Sequence, residues 1–297
     1  MEIMNKSNFI GWFFLFGLSV SSCDDTTISA PQGEIKLVGA IVPSSRGTDL
    51  NQQATQIAEN RQVGVTITQA HEAHDNGLWL ANGNGTLVNV SNPVHWGDTE
   101  VTVTAYHPYD ADWTESQQTF SVQTDQSTDS GYLDSDLLWA KTTSSASDEP
   151  VALSFTHKLA KVNVTLTSDD IKDLSNITIS ICGTNLSTGF HPATGALSAV
   201  AGHVADIRAS VTTKSSYTGS AIIIPQAVGK GTKFVKITYK NKDYHYTLSD
   251  AIEFKSGRTY HFQLKLSVKN SNGIGFVYED GEMTEGESYD FTFEWEN

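Results

Sequence analysis

Apolar and polar residues alternate along this chain in short runs, and the clearest change of pattern lies between Val151 and Leu166. The apolar side chains stand first at odd and then at even positions: Val151, Leu153 and Phe155, followed by Val162, Val164 and Leu166. A slip of one residue moves every later side chain to the other face of a strand. The pattern therefore predicts a bulge or corner near Leu159 and Ala160, where the chain passes from one sheet into another.

Similar alternation recurs through the chain without a long helical period. The strongest run extends from Arg258 to Lys269 and places five apolar side chains on one face. Turn sequences such as 82–85 (Asn-Gly-Asn-Gly) separate the runs. Many short strands between such turns predict an all-β protein built from sandwiches. Further predicted strands lie near Val63–Ile67, Val101–Val103, Phe120–Val122, Ile222–Ile224, Val235–Tyr239, Tyr244–Leu248 and Phe291–Trp295.

The first predicted strand, Gly33–Pro43, is apolar on both faces, so we expect it to be covered on both sides. It is followed at once by the loop sequence Ser-Ser-Arg-Gly, which contains Arg46. Residues 48–62 are polar and predict an exposed connection.

A length of 297 residues allows two domains, each with its own core. The run Lys141–Pro150 is polar and has no apolar side chain larger than alanine. We therefore place the domain boundary there, with a first domain at 33–149 and a second at 150–297.

The amino terminus has the features of a targeting segment rather than of folded structure. Lys6 precedes an apolar run, Phe9–Val20, which is shorter than the roughly 20 residues needed to span a bilayer. Val20-Ser21-Ser22-Cys23 resembles a bacterial lipobox. This resemblance predicts a signal peptide at 1–22, a lipid on Cys23 and a surface tether at 23–32. The alternative is an ordinary secretory peptide in which Cys23 is incidental.

Composition and motifs narrow the function. A net charge of −15 disfavours nucleic acid, which requires a basic face. The run His71–Asp75 holds two histidines three residues apart, which favours a solvated loop over the helical zinc motif and leaves a weak metal site as the alternative. Cys182 is interpreted as a packed side chain rather than a catalytic thiol. We predict no catalytic residue, no cofactor and no enzymatic activity.

The aromatic run Tyr106–Trp113 leaves a second class of function open. Its tyrosines and tryptophan surround a proline, which favours a cap on the end of a sandwich. The alternative is a sugar site, which would make the protein a glycan-binding surface lipoprotein.

Four sequence motifs resemble the fimbrillin family, the pilus subunits and adhesins of Bacteroidota. They are DSDLLWA (134–140), FTHKLAKVNVTL (155–166), IIIPQ (222–226) and SGRTYHFQLKL (256–266), and with their surroundings they cover about residues 34–268. The resemblance implies two tandem transthyretin-like β-sandwich domains on a surface-exposed lipoprotein of the outer membrane. It also implies a structural role in a fimbria, with other pilus subunits as partners and host or bacterial surface ligands as further possible ones.

The same resemblance implies a route of assembly. An arginine-specific protease would cut after Arg46 and remove the first strand, and a strand from the next subunit would fill the gap. Arg61 is a second basic site that could be cut instead. The acidic tail, with Phe291, Phe293 and Trp295 in alternation, is the expected donor strand.

Overall fold

The computed structural model describes residues 33–42, 55–97, 99–168, 172–212, 217–269 and 273–277. The predicted signal peptide, Cys23, Arg46 and the tail strand Phe291–Trp295 lie outside these ranges. Within them the chain is almost entirely β-structure, with one short helix, α1 (Asp129–Leu133). No helix in these ranges has the length and apolar character needed to cross a membrane.

The strands follow one another closely along the chain. The first nine are β1 (Leu37–Ile41), β2 (Gln62–Thr68), β3 (Ala73–Ala81), β4 (Thr86–Asn89), β5 (Glu100–His107), β6 (Gln118–Ser121), β7 (Leu138–Ser145), β8 (Val151–His157) and β9 (Ala160–Ser168). The rest are β10 (Thr178–His191), β11 (Ala196–Arg208), β12 (Ser210–Thr212), β13 (Tyr217–Ile223), β14 (Ala227–Val228), β15 (Lys233–Tyr239), β16 (Lys242–Thr247), β17 (Ile252–Glu253), β18 (Thr259–Lys269) and β19 (Gly273–Val277).

The amino-terminal strands form one sheet that closes on itself. Its order is β1-β4-β3-β2-β5-β7-β8, and β8 pairs with β1 in parallel to complete the ring. Alternate residues of each strand point inward, so the ring encloses a core that includes Val65, Trp79, Val103 and Phe155.

The carboxy-terminal strands form two sheets that enclose a second core. One sheet has the order β11-β10-β15-β16, with β6 also paired to β10, and the other has the order β12-β13-β9-β18-β19. The core between them includes Val164, Ile179, Phe234 and Phe262. The two-sheet arrangement confirms the prediction of an all-β sandwich fold.

The predicted corner near Leu159 and Ala160 is confirmed. Strand β8 ends at His157 in the first sheet, and β9 begins at Ala160 in a sheet around the second core. The buried side chains change from odd to even positions at this point, as the sequence predicts.

The change from the first core to the second comes later in the chain than the boundary predicted at 149/150. Lys141–Ser145 is not a linker but the second half of β7, which pairs along its length with β5. Strand β8 then joins the first sheet, so the change of core comes between Phe155 and Leu159. The end of β7 needs no large apolar side chains because backbone pairing holds it and its side chains are partly or fully exposed.

The turn predicted at 82–85 is confirmed, whereas the predicted exposed connection is only partly correct. Gly83 and Gly85 have positive φ. A second turn, Lys240 and Asn241 with φ of 50° and 58°, joins β15 to β16. In the described part of 48–62, however, Ile57 is only 3% exposed and belongs to the first core.

Candidate functional site

The candidate site is the first strand, β1, and the space that it fills between β4 and β8. Along one edge, the Gly39 amide donates to the Gly85 carbonyl at 2.7 Å. Along the other, the amides of Val42 and Val151 donate to Phe155 and Lys36, both at 2.8 Å. Strand β1 is therefore hydrogen-bonded on both edges, and its removal would leave β4 and β8 unpaired on the sides that now face it.

The inner face of β1 alternates large and small side chains. Leu37 and Ile41 are buried, and Gly39 lies between them. A Cβ atom on Gly39 would lie 2.7 Å from Cε2 of Phe155, because the Phe155 ring occupies the space above this glycine. The floor of the site comes from β4 and β8 and is apolar, with Leu87, Leu153 and Phe155 all buried.

The outer face of β1 is open to solvent, which corrects the expectation of cover on both sides. Ala40 is exposed and Val42 is 42% exposed, while Val38 is half-buried. A closed sheet buries only its inner face unless another layer covers it, so small aliphatic residues on the outside remain solvated.

The two predicted processing sites differ in what the structure describes. Arg46 lies outside the described residues. Arg61 precedes β2, where its amide donates to Ala58 at 3.3 Å and its carbonyl accepts from Ala81 at 2.9 Å. Its guanidinium donates to the Asp134 carboxylate at 3.1 Å. Arg61 is thus tied down through both its backbone and its side chain.

The other candidate residues fall in separate places. In the run His71–Asp75, His74 contacts Glu72 at 3.2 Å, and the described residues contain no group of three metal-ligating side chains.

Cys182 is buried and its thiol contacts Asp206, and this burial raises its pKa to about 12. A thiol that stays protonated at neutral pH suits the packed role predicted for it.

The aromatic run Tyr106–Trp113 is divided between the core and the surface. Tyr106 and Trp113 are buried and stack with ring centroids 5.0 Å apart, so they do not present their faces to solvent. Tyr109 is half-buried and lines an open cleft of about 570 Å³. Sequence reasoning identified this run but not the cleft. The other walls come from residues 60–62 and 119–121, Gln123 and Asp134, which lie outside the run.

The pairing of β1 with β8 was also missed from the sequence. These strands are separated by more than 100 residues, and a parallel pair leaves no local turn signal that would reveal it. The only trace was that both runs are apolar.

Comparison with known proteins supplies the family. The family model described as fimbrillin-like matches residues 48–280, which is more than half of the chain. No curated protein matches this chain.

Three solved structures illustrate the similarity in fold. A candidate cell-adhesion protein of Bacteroides ovatus superposes with a TM-score of 0.63 at 20% identity, covering 86% of this chain and 99% of that one. A candidate cell-adhesion protein of Bacteroides uniformis gives 0.58 at 19% identity, covering 82% and 95%. A fimbrial protein of B. ovatus gives 0.52 at 15% identity, covering 80% of this chain and 50% of that one.

These neighbours agree with the all-β architecture, and the family model extends across both cores. The chain belongs to the fimbrillin-like family.

Proposed function

We propose that this protein is a non-enzymatic subunit of a bacterial pilus, or an adhesin associated with one, and that it assembles by exchanging a β-strand with other subunits. Its membership of the fimbrillin-like family supports the role at the cell surface. The observation that carries the exchange is the position of β1, an early strand that is paired on both edges inside a closed sheet.

Loss of β1 would create a groove that another strand can fill. Burial of Leu37 and Ile41 contributes about 1.5 to 3 kcal/mol each, in addition to the hydrogen bonds to β4 and β8. An apolar groove with two unpaired edges is a template for strand addition, in which backbone hydrogen bonds supply affinity and alternate side chains fill the floor. The empty groove would therefore favour a strand from a neighbouring subunit.

We place the cut after Arg46 rather than after Arg61. A protease requires its substrate in an extended and accessible form, whereas both backbone groups of Arg61 are hydrogen-bonded and its side chain pairs with Asp134. A cut after Arg46 would release β1, which ends at Ile41, and would leave β2 intact.

The tail that contains Phe291, Phe293 and Trp295 is the proposed donor. At the centre of the groove, Phe155 occupies the space that Gly39 leaves free. A donor with large side chains at each alternate position therefore fits only if the Phe155 ring turns aside.

The test is to treat the purified precursor with an arginine-specific protease, sequence the new amino terminus and size the product. We expect a chain that starts at Gly47 and forms polymers. Arg46→Ala should abolish both cleavage and polymers, whereas the matched variant Arg61→Ala should retain them. Deletion of 289–297 should permit cleavage but prevent polymers. A cleaved product that stays monomeric would reject strand exchange.

We further propose that a lipid on Cys23 anchors the precursor in the outer membrane, with the folded part exposed at the surface. Each buried CH₂ of an acyl chain contributes about 0.8 kcal/mol, so several chains give durable attachment. Mass spectrometry of the mature amino terminus should find acylated Cys23. A Cys23→Ala protein that partitions into membranes as fully as the parent would contradict the anchor.

A further inference from the structure

The open cleft of about 570 Å³ is lined by the start of β2, the end of β5 and strand β6. Strands β2 and β5 belong to the closed sheet, whereas Phe120 of β6 belongs to the second core. The volume of the cleft falls within the range of about 300 to 1,000 Å³ that is typical of small-molecule sites. None of its lining residues belongs to β1, β4 or β8, so the cleft is separate from the strand groove. The walls include Asn60, Arg61, Gln62, Tyr109, Asp110 and Gln123.

One side of the cleft is a loop that the fold holds in place. The Asn76 side-chain amide donates to the carbonyls of Asp110 and Trp113, both at 2.9 Å. The Tyr106 hydroxyl donates to Asn76 at 2.6 Å and lies 3.1 Å from the Asp110 carbonyl. Burial raises the pKa of this phenol, so it remains a donor at physiological pH. The loop is therefore ordered before any ligand arrives, which lowers the entropic cost of binding.

Aromatic side chains pack against this loop on its buried side. Trp113 stacks on Tyr106 and also contacts Phe190, with ring centroids 5.5 Å apart. Tyr109 packs at the margin of the second core and keeps part of its side chain exposed in the cleft. It therefore provides an apolar ring surface with a polar tip.

The polar lining contains both donors and acceptors. Arg61 and Asp134 form an ion pair, yet their side chains remain 22% and 41% exposed, so each keeps unused hydrogen-bonding capacity. Exposed amides at Asn60, Gln62 and Gln123 can donate and accept in the same place.

The charge of the lining restricts the class of ligand. Arg61 is the one cation, and Asp110 and Asp134 are two anions, so the described lining has no excess positive charge. An anionic ligand would meet repulsion from these carboxylates. An apolar ligand would leave the amides and the ion pair buried without partners.

We propose that this cleft binds a neutral saccharide. The hydroxyl groups of a sugar donate and accept, as the amides and the Arg61–Asp134 pair require, and the C–H face of a pyranose ring can stack on Tyr109. This binding activity is separate from assembly and gives the subunit a means of attachment to a glycan-coated surface.

The test uses the intact protein and saturation-transfer NMR with a panel of neutral saccharides: glucose, galactose, mannose, N-acetylglucosamine and their disaccharides. Glucose 6-phosphate, sialic acid and a neutral tripeptide serve as comparators. We expect a neutral saccharide to bind, and Tyr109→Ala and Gln62→Ala each to weaken its affinity about tenfold or more, equivalent to the loss of one good contact. Tyr239→Ala, which removes a half-buried tyrosine that does not line the cleft, should bind as the parent does.

Circular dichroism of each variant separates loss of binding from loss of fold, and the exposed Gln62 provides a change that leaves the core intact. The proposal is overturned if no neutral saccharide binds, if folded Tyr109→Ala and Gln62→Ala bind as the parent does, or if a charged comparator or the tripeptide binds in preference. Polymer formation after cleavage should be unchanged in Gln62→Ala, so failure here is distinguishable from failure of strand exchange.

Discussion

The contact between Gly39 and Phe155 allows the packing of β1 to be tested directly. In Gly39→Ala, the new methyl group would lie 2.7 Å from Cε2 and 3.2 Å from Cδ2 of Phe155. Both distances are shorter than ordinary van der Waals contact. With β1 in place Phe155 is fully buried, so its ring has little room to move until β1 is lost.

The expected magnitude follows from two opposing effects. Overpacking of this kind costs about 1 to 3 kcal/mol. Replacing glycine by alanine within a strand raises the free energy of unfolding by about 0.5 to 1 kcal/mol, because the unfolded chain then has less conformational freedom to lose on folding. The middle of the first range exceeds the middle of the second, so we expect Gly39→Ala to lower the free energy of unfolding by about 1 kcal/mol.

A second substitution should relieve the clash. Phe155→Leu shortens the side chain above residue 39, so the double variant should be less destabilised than the sum of the single variants by about 1 kcal/mol. Gly77→Ala in β3 is the matched control, because its new methyl group would meet nothing closer than 3.5 Å. With no clash to oppose it, the unfolded-state effect alone should leave Gly77→Ala as stable as the parent or more stable by up to about 1 kcal/mol.

Urea unfolding followed by tryptophan fluorescence is a suitable assay, since Trp79 and Trp96 are buried in the first core. If Gly39→Ala were as stable as the parent, or if its effect simply added to that of Phe155→Leu, Phe155 would not occupy the space above β1 as described.

Three further predictions test other parts of the fold. Gln126→Ala should lower the free energy of unfolding in urea by about 2 to 4 kcal/mol, because the buried Gln126 amide is hydrogen-bonded to both backbone groups of Ile222 at 2.8 Å. The exposed control Gln263→Ala should lower it by less than about 0.5 kcal/mol. Equal effects of the two substitutions would refute this role of Gln126. Cys182 should resist Ellman's reagent at pH 8 in a soluble form beginning at residue 24 and react after unfolding in urea, because its pKa of about 12 keeps the buried thiol protonated; rapid reaction in the folded protein would contradict its burial. Limited proteolysis should cut the exposed turn 147–150, and the fragments should coelute on gel filtration because β8 remains paired with β1; separation of the fragments would favour the boundary predicted from sequence.

Much of the local structure followed from the sequence alone. The change from odd to even apolar positions between Phe155 and Val162 fixed the corner, since strand geometry alternates side chains between two faces. The turn at 82–85 was predictable because glycine adopts positive φ without steric cost, and Gly83 and Gly85 do so. The run that begins at Arg258 gave β18 because its apolar side chains recur at every second residue.

The tertiary structure decided which strands pair and which segments form a cleft. Polar Lys141–Ser145 forms half of a strand because β5 supplies its backbone partners, and composition carries no information about a partner that is distant in sequence. Strand β1 has an exposed outer face because the sheet closes through β8, a parallel pairing with no connecting turn to predict it. The cleft proposed to bind a saccharide likewise depends on tertiary structure, because Arg61, Tyr109 and Asp134 come together only when the chain has folded around both cores.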